Sequence, residues 1–369
     1  MTTLHRIAWL GGDGIGPEVL DATRSVLDAV GFHAEYIPAD IGWKHWCEEG
    51  NPLPARTLDV LRSTRCALFG AITSKPAADA ARELAPSLRD RNFTYFSPIV
   101  RLRREFGLYA NIRPARTFAA GASPVDVIVV RENTEGLYAG MEVHPTAPEI
   151  VAVLDSQRRL PHLRETAPRD LALSVRVTTR AACQRIVLQA FNLARSLRRR
   201  RVTLVEKANV MRATGGLMVE VARTVAAEFP EIEFREAHVD TACMDLVRRP
   251  GEFDVIVADN LFGDILSDLA AGLTGGPGLA PSANLGENYA VFEPVHGSAP
   301  DIAGRGVANP CAAVLSAGMM LDWLGERTLA QRLHRAVRTV LIEAQTRTPD
   351  LGGNATTKQM ASAIAAAAT

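Results

Sequence analysis

The chain has 369 residues, and its 41 basic and 41 acidic side chains cancel, which excludes a global field drawing it to nucleic acid or to an anionic membrane. With 47% hydrophobic residues it has material for a sizeable core, as two domains or as one large α/β domain. The five cysteines (Cys47, Cys66, Cys183, Cys243, Cys311) are scattered without a Cys-x-x-Cys pair, and the opening MTTLHRIAWLGGDG lacks an apolar signal core. The expectation is reduced thiols, no zinc site, no membrane span and a cytoplasmic location.

Short apolar runs recur as IAWL, CALFG, VDVIVV, VTLVE and FDVIVA, with amphipathic stretches between several of them, which predicts an α/β fold with a largely parallel sheet. The first run enters GGDGIGPEVL. A dinucleotide fingerprint needs glycines at its first, third and sixth positions. Here Gly12 and Gly14 are followed by Pro17, and Gly14 and Gly16 by Val19, so the spacing fails. What remains is a strand, a tight turn and a helix with Pro17 near its first turn.

Further along, SPIVRLRREFGLYANIRPAR and VIVVRENTEGLYAG carry Arg103, Arg113 and Arg131 at or near the ends of apolar elements. Guanidinium forks match carboxylates, so convergence of the three would imply a di- or tricarboxylate ligand, whereas singly each reads as a surface residue. The polar, proline-punctuated stretch 141–170 reads as a protruding excursion. EVLDATRSVLDAV, RAACQRIVLQAFNLAR and GLMVEVARTVAAEF have helical periodicity. RSLRRRRV, without interleaved aromatics, reads as a solvated face at a helix C-terminus rather than a nucleic-acid site.

In VEKANVMRATGG a strand ends at Lys207 and Asn209, where open α/β sheets place ligands. In DNLFGDILSDLAAGLTGG, Asp264 and Asp268 share one helix face, while Ile265, Leu266 and Leu269 are expected to bury the helix. Such a pair repels unless a cation or solvent intervenes, so it is either an exposed face or a site for Mg²⁺ or Mn²⁺. The loop VFEPVHGSAPDIAGRGVANP, around His296, Asp301 and Asn309, suits close backbone approach to a planar ligand or a phosphate, or a tight turn. His296 has no partner histidine at metal-ligand spacing. The final MASAIAAAAT reads as a frayed helix.

Together, from GDGIGPEV to TPDLGGNATT, these segments resemble the β-decarboxylating dehydrogenases, the family of isocitrate, 3-isopropylmalate, homoisocitrate and tartrate dehydrogenases. The resemblance implies two α/β domains with a mixed sheet, not a Rossmann fold. Residues 1–108 plus 275–369 would form the large cofactor-binding domain, and 109–274 the small domain with the dimer interface and a clasp arm at 141–170. It implies a homodimer with shared active sites, with a tetramer also open. Asp264 and Asp268 would bind Mg²⁺ or Mn²⁺ with Asp240 of the other subunit. Lys207, lent across the dimer, would be the base and Tyr138 the acid. Ser97, Arg103, Arg113, Arg131 and Asn209 would hold substrate, with Asn209 near the nicotinamide. Ser74, Glu293, His296, Gly297, Ser298, Ala299, Asp301, Ile302 and Asn309 would hold the cofactor. Members that use NADP carry Lys-Tyr in place of Asp301-Ile302, which implies NAD here.

Ser97-Pro98-Ile99-Val100 and ENTEGLY resemble the homoisocitrate branch, while the long arm looks more like that of isocitrate dehydrogenases. The implied reaction is homoisocitrate to 2-oxoadipate and CO₂. Isocitrate or another 3-substituted malate stands as the alternative, and a non-catalytic regulatory subunit as a further one.

Overall fold

A computed structural model describes residues 4–118, 125–157, 160–343 and 346–369. The strands, in chain order, are β1 (His5–Gly12), β2 (Ala34–Pro38), β3 (Cys66–Ala71), β4 (Ala110–Arg116), β5 (Asp126–Glu132), β6 (Glu142–Val143), β7 (Leu173–Ser174), β8 (Arg201–Glu206), β9 (Glu233–His238), β10 (Val255–Ala258), β11 (Pro281–Leu285) and β12 (Ala290–Pro294). Ten of them form one sheet in the order β2-β1-β3-β12-β11-β4-β5-β10-β8-β9, and β6 and β7 pair separately. All five apolar runs are strands. Those such as β3 and β10, buried along their whole length, are apolar throughout, as strands covered on both faces must be.

The sheet is mixed. Pairing is parallel on both flanks and antiparallel at the three central junctions, β12-β11, β11-β4 and β4-β5. The half containing β1 to β3 and β12 therefore runs opposite to the half containing β5, β10, β8 and β9. Strands from both ends of the chain build the first half, and strands from its middle build the second.

Side chains alternate across a strand, and in the central strands the alternation separates two chemistries. Ile112, Ala283 and Phe292 join the main apolar core. Their neighbours Asn111, Arg113, Ser282, Asn284 and Glu293 face the other way, where they bond one another and the site residues.

The expected helices are present as Gly16–Ala29, Arg180–Ser196 and Thr214–Ala226. The second starts at Thr179, whose hydroxyl accepts from the Ala182 N–H. The C-terminal helix corrects the sequence reading. Thr357–Ala368 is not frayed: a capping box joins Thr356 and Gln359, Met360 and Ile364 are fully buried, and Arg332 donates to the Ala368 carbonyl. Its small alanines let it lie against helices Gly16–Ala29 and Arg327–Glu343.

In the arginine run, Arg199 pairs with Asp126 and Asp254 and Arg201 with Glu233, while Arg195, Arg198 and Arg200 are exposed, as a solvated face requires. The excursion after Gly140 holds β6, β7 and helix Pro148–Ser156, none of whose residues is buried. All five cysteines are free thiols, and among the described residues no helix is long and apolar enough to cross a membrane.

Candidate active site

The opening turn is shaped by contact with the cofactor-loop candidate. Gly12 (φ 74°) and Gly14 (φ 57°) occupy left-handed conformations, and a Cβ on Gly14 would lie 2.0 Å from the Ser298 carbonyl oxygen. The same oxygen accepts from the Ile15 N–H at 2.8 Å. Asp13, between these glycines, accepts from the Trp43 N–H at 2.7 Å and the Thr73 N–H at 2.9 Å. It ties the turn to two neighbouring segments, a role the sequence reading missed.

At the sheet centre, Arg103 reaches in from helix Pro98–Glu105. Its Nε donates to Asn284 Oδ1 at 3.0 Å and its Nη2 to Glu293 Oε1 at 3.4 Å. Asn284 Oδ1 also accepts from Asn111 (2.9 Å) and Asn133 (2.8 Å). Arg131, only 1% exposed at the end of β5, donates to Asn260 Oδ1 through Nε (3.2 Å) and Nη2 (2.7 Å), and through Nη1 to Asp264. Gly263 makes this possible, because a Cβ there would sit 2.7 Å from the Arg131 side chain. The three arginines therefore converge, but in this chain their charge is met by protein groups.

Helix Asn260–Leu273 presents Asp264 and Asp268, and the cation between them is Arg113, whose Nη1 lies 3.1 Å from an oxygen of each. Burial alone would raise the Asp264 pKa. The charges of Arg131 and Arg113, with the hydrogen bond from Tyr138, outweigh it and hold this carboxyl below its ordinary range. Leu266 is buried as expected, but Ile265 is 48% exposed. The helix turns Leu266 and Ala270 inward, which leaves Ile265 outside beside the two aspartates.

Tyr138 lies on a short turn, Leu137–Ala139, flanked by Gly136 (φ 74°) and Gly140 (φ 67°). Its hydroxyl donates to Asp264 Oδ2 at 2.6 Å, and the Arg131 guanidinium lies 4.8 Å from its ring centre. Burial, then the Asp264 carboxylate, pushes its pKa up, so the phenol stays protonated at neutral pH.

Lys207 and Asp240 stand apart from this web. Lys207, just past β8, donates to Asp240 Oδ1 at 2.6 Å, and Asp240 lies in the first turn of helix Val239–Arg248. Asn209 is exposed in the turn that follows. Among the described residues, no three His, Cys, Asp or Glu side chains converge as a metal cluster. The donor chemistry nevertheless fits a hard dication: two carboxylates one helical turn apart already hold a cationic group between them, and a third oxygen donor would have to come from elsewhere.

Beside the arginines opens a cleft of about 170 Å³, with Phe69, Ile72 and Ile99 as apolar wall and Arg103, Arg113, Glu293 and His296 as polar lining. Ser97 starts the helix that carries Ile99, and its side chain makes no capping bond. Burial lowers the His296 pKa, keeping the imidazole neutral, and its Nε2 has no partner. Gly297 is exposed at the cleft, and Ser298 Oγ lies 2.7 Å from Thr73 Oγ1. Ala299 has a left-handed backbone (φ 38°). Asp301 is exposed, while Ile302 packs on Ile15, Val19, Ala308 and Ala313. Ser74 is exposed, its hydroxyl 3.1 Å from that of Tyr95.

Asn309 is already engaged. Its Nδ2 donates to Asp350 at 2.9 Å and its Oδ1 accepts from the Cys311 N–H at 3.0 Å, so here it braces the loop.

Residues 6–364 match the isocitrate/isopropylmalate dehydrogenase family. The chain belongs to that family. An isocitrate/homoisocitrate dehydrogenase of Thermus thermophilus is 45% identical over 362 residues, spanning 98% of this chain and 97% of that one. A 3-isopropylmalate dehydrogenase of Archaeoglobus fulgidus is 42% identical over 365 residues, spanning 98% and 99%. The crystal structure of isocitrate dehydrogenase from Methylococcus capsulatus has a TM-score of 0.86 at 41% identity, covering 99% of each chain. This isocitrate/isopropylmalate dehydrogenase family member is thus a nicotinamide-dependent decarboxylating dehydrogenase. The expected fold and enzyme class are both borne out, and the family generally uses Mg²⁺ or Mn²⁺.

Proposed function

We propose that the protein oxidatively decarboxylates a 3-substituted malate with NAD, and that homoisocitrate, yielding 2-oxoadipate and CO₂, is the leading substrate. The carrying observation is the Arg113 guanidinium held 3.1 Å from both Asp264 and Asp268, a cation-binding notch next to a cleft lined by Arg103. In this reading Asp264 and Asp268 hold the dication together with Asp240 of a second copy of the chain. When bound, the metal supplies Lewis-acid stabilisation of the negative charge that develops on the substrate oxygen.

The chain's own residues carry the remaining work. Arg103, Arg113 and Arg131 supply positive charge for the substrate carboxylates, Ser97 and Ile99 border the C3 substituent, and Asn209 lies near the nicotinamide. Lys207 takes the hydroxyl proton as hydride passes to NAD. After CO₂ leaves, Tyr138 gives its proton to the carbon and regains one from solvent. The geometric support for that role is the Tyr138 hydroxyl, held 2.6 Å from Asp264 Oδ2 beside the proposed metal notch.

Sharing of the site between two copies is supported by the Lys207–Asp240 pair, whose side chains bond each other and none of the arginines among the described residues. A second support is exposed Val210, Met244, Val247 and Ile265, apolar side chains near those residues that an interface would cover. The division into a large domain (1–108 plus 275–369) and a small one (109–274), with the arm at 141–170 clasping the partner, belongs to the same proposal. A homodimer is the minimal working unit, and a tetramer is an outcome of the same measurement of mass in solution. The cofactor side rests on Ser74 and on Glu293, His296, Gly297, Ser298, Ala299, Asp301 and Ile302, with Asn309 bracing the loop. The exposed Asp301 carboxylate can accept from a ribose 2′-hydroxyl and would repel a 2′-phosphate, which favours NAD.

The test is NAD(P)H formation by the purified protein with Mg²⁺ or Mn²⁺ on homoisocitrate, isocitrate, 3-isopropylmalate, tartrate and malate. Preference for homoisocitrate with NAD is the expected result. Preference for isocitrate would replace the substrate assignment while leaving the chemistry, and no turnover on any would favour a regulatory subunit.

A further inference from the structure

Arg103 and Arg104 are consecutive on helix Pro98–Glu105 and point to different tasks. Arg103 is buried against the sheet, whereas Arg104 is exposed and crosses to the turn that carries Tyr138. Its Nη2 donates to the backbone carbonyl of Tyr138 at 2.9 Å and to that of Ala139 at 2.6 Å. Gly140 follows with a left-handed backbone (φ 67°), which lets the chain turn away beside the guanidinium.

Apart from this grip, the turn is held at its start by Gly136, whose N–H bonds the Val177 carbonyl at 2.8 Å, and at the phenol end by Asp264. Glycines on both sides give the turn backbone freedom, so an external clamp has something to restrain. A charged donor shared by two carbonyls is such a clamp.

We propose that Arg104 is a positioning residue that fixes the reach of the Tyr138 hydroxyl, and thereby links the helix bordering the C3 substituent to the proton-donating step. The proposal rests on the reading of Tyr138 as the acid. Without the clamp, the phenol would spend less time at the distance from which it protonates the carbon, so proton delivery would slow while binding and hydride transfer stay intact.

The experiment is a double-mutant cycle on full-length protein with Arg104→Met, Tyr138→Phe and both, plus Arg104→Lys. It reads kcat, KM for the substrate and for NAD, and the solvent isotope effect on kcat. The expected result for Arg104→Met is a kcat roughly fivefold lower, on the scale of one exposed charge-assisted contact, with both KM values within about twofold. The solvent isotope effect should rise as proton delivery becomes limiting, and the melting temperature should hold. Arg104→Lys, which can still reach a carbonyl, should recover part of the rate, and Arg104→Met should have no further effect in the Tyr138→Phe background.

Additive losses in the double variant, with Tyr138→Phe itself impaired, would overturn the role of Arg104 alone. Full activity of Tyr138→Phe would overturn the acid assignment and this proposal together. A loss that tracks the melting temperature, with no change in isotope effect, would reduce Arg104 to a structural contact.

Discussion

Two charged regions meet the proposed chemistry in opposite ways. At the sheet centre, Arg103 and Arg131 are buried and bonded to Asn284, Glu293, Asn260 and Asp264 by their own chain. Lys207 and Asp240 pair with each other, and the Asp240 side chain is two-thirds exposed. A buried guanidinium must be satisfied internally, because leaving it unpaired is strongly destabilising. An exposed pair contributes little to stability and is free to exchange partners. Under the proposed function, the arginine half of the site is preorganised by folding, and the Lys207–Asp240 half would be left available for assembly.

The sharpest way to break this contrast is Lys207→Ala. Removal of the proposed base should lower kcat by about a hundredfold or more. The melting temperature should barely move, as the pair it loses is at the surface; near-normal turnover would remove Lys207 from the mechanism.

Arg131→Met should behave in the opposite sense. It leaves Asn260 and part of Asp264 without their partner, and urea unfolding should show a loss of about 3 kcal/mol. A loss under about 1 kcal/mol would mean the web is not what holds the two elements together.

Between these extremes lies the cofactor loop, where Asp301 is exposed but Ile302 is anchored. Asp301→Lys with Ile302→Tyr should move the NAD/NADP ratio of kcat/KM toward NADP by about tenfold, roughly 1.4 kcal/mol. An unchanged ratio would show that another segment reads the ribose.

The smallest expected effect comes from His334, a buried group outside the site. Burial, then the charge of Arg116, holds its pKa below the ordinary value. As pH falls through about 6.5, the unfolded chain takes up this proton first, so stability is full above that pH and declines below it, by at most about 1.4 kcal/mol per pH unit. His334→Gln should flatten that part of the stability curve, and an unchanged slope would assign it to other groups.

Much of the framework was legible because it depends on local pattern. Uninterrupted apolar runs such as CALFG could only be covered strands, and the spacing of Asp264 and Asp268 put both on one helix face. The central strands were harder to read. ANIRPAR and PSANL place Asn, Arg and Ser where a buried strand normally has apolar side chains, and only pairing of Asn111 with Ser282 and Asn284 makes that burial tolerable. The alternation of polar with apolar residues was the available signal. Arg113 as the cation between the aspartates lay beyond sequence reading, because it reaches them from a strand distant in the chain. The same holds for Asp13, whose partners are backbone N–H groups that leave no mark on composition. The alanine-rich C-terminus misled for a related reason, since small side chains mark close packing as readily as fraying.

The strand order also constrains how this chain emerges and assembles. Ala67 of β3 finds Val291 of β12 as its neighbour, so the first strands to be synthesised wait for the last. The middle strands β4, β5, β8, β9 and β10 all precede β12 in the chain, and they are contiguous neighbours in the sheet, so their ladder can close without it. During synthesis, the edge of β3 is an open template for any passing strand, and its protection depends on the time taken to deliver β12.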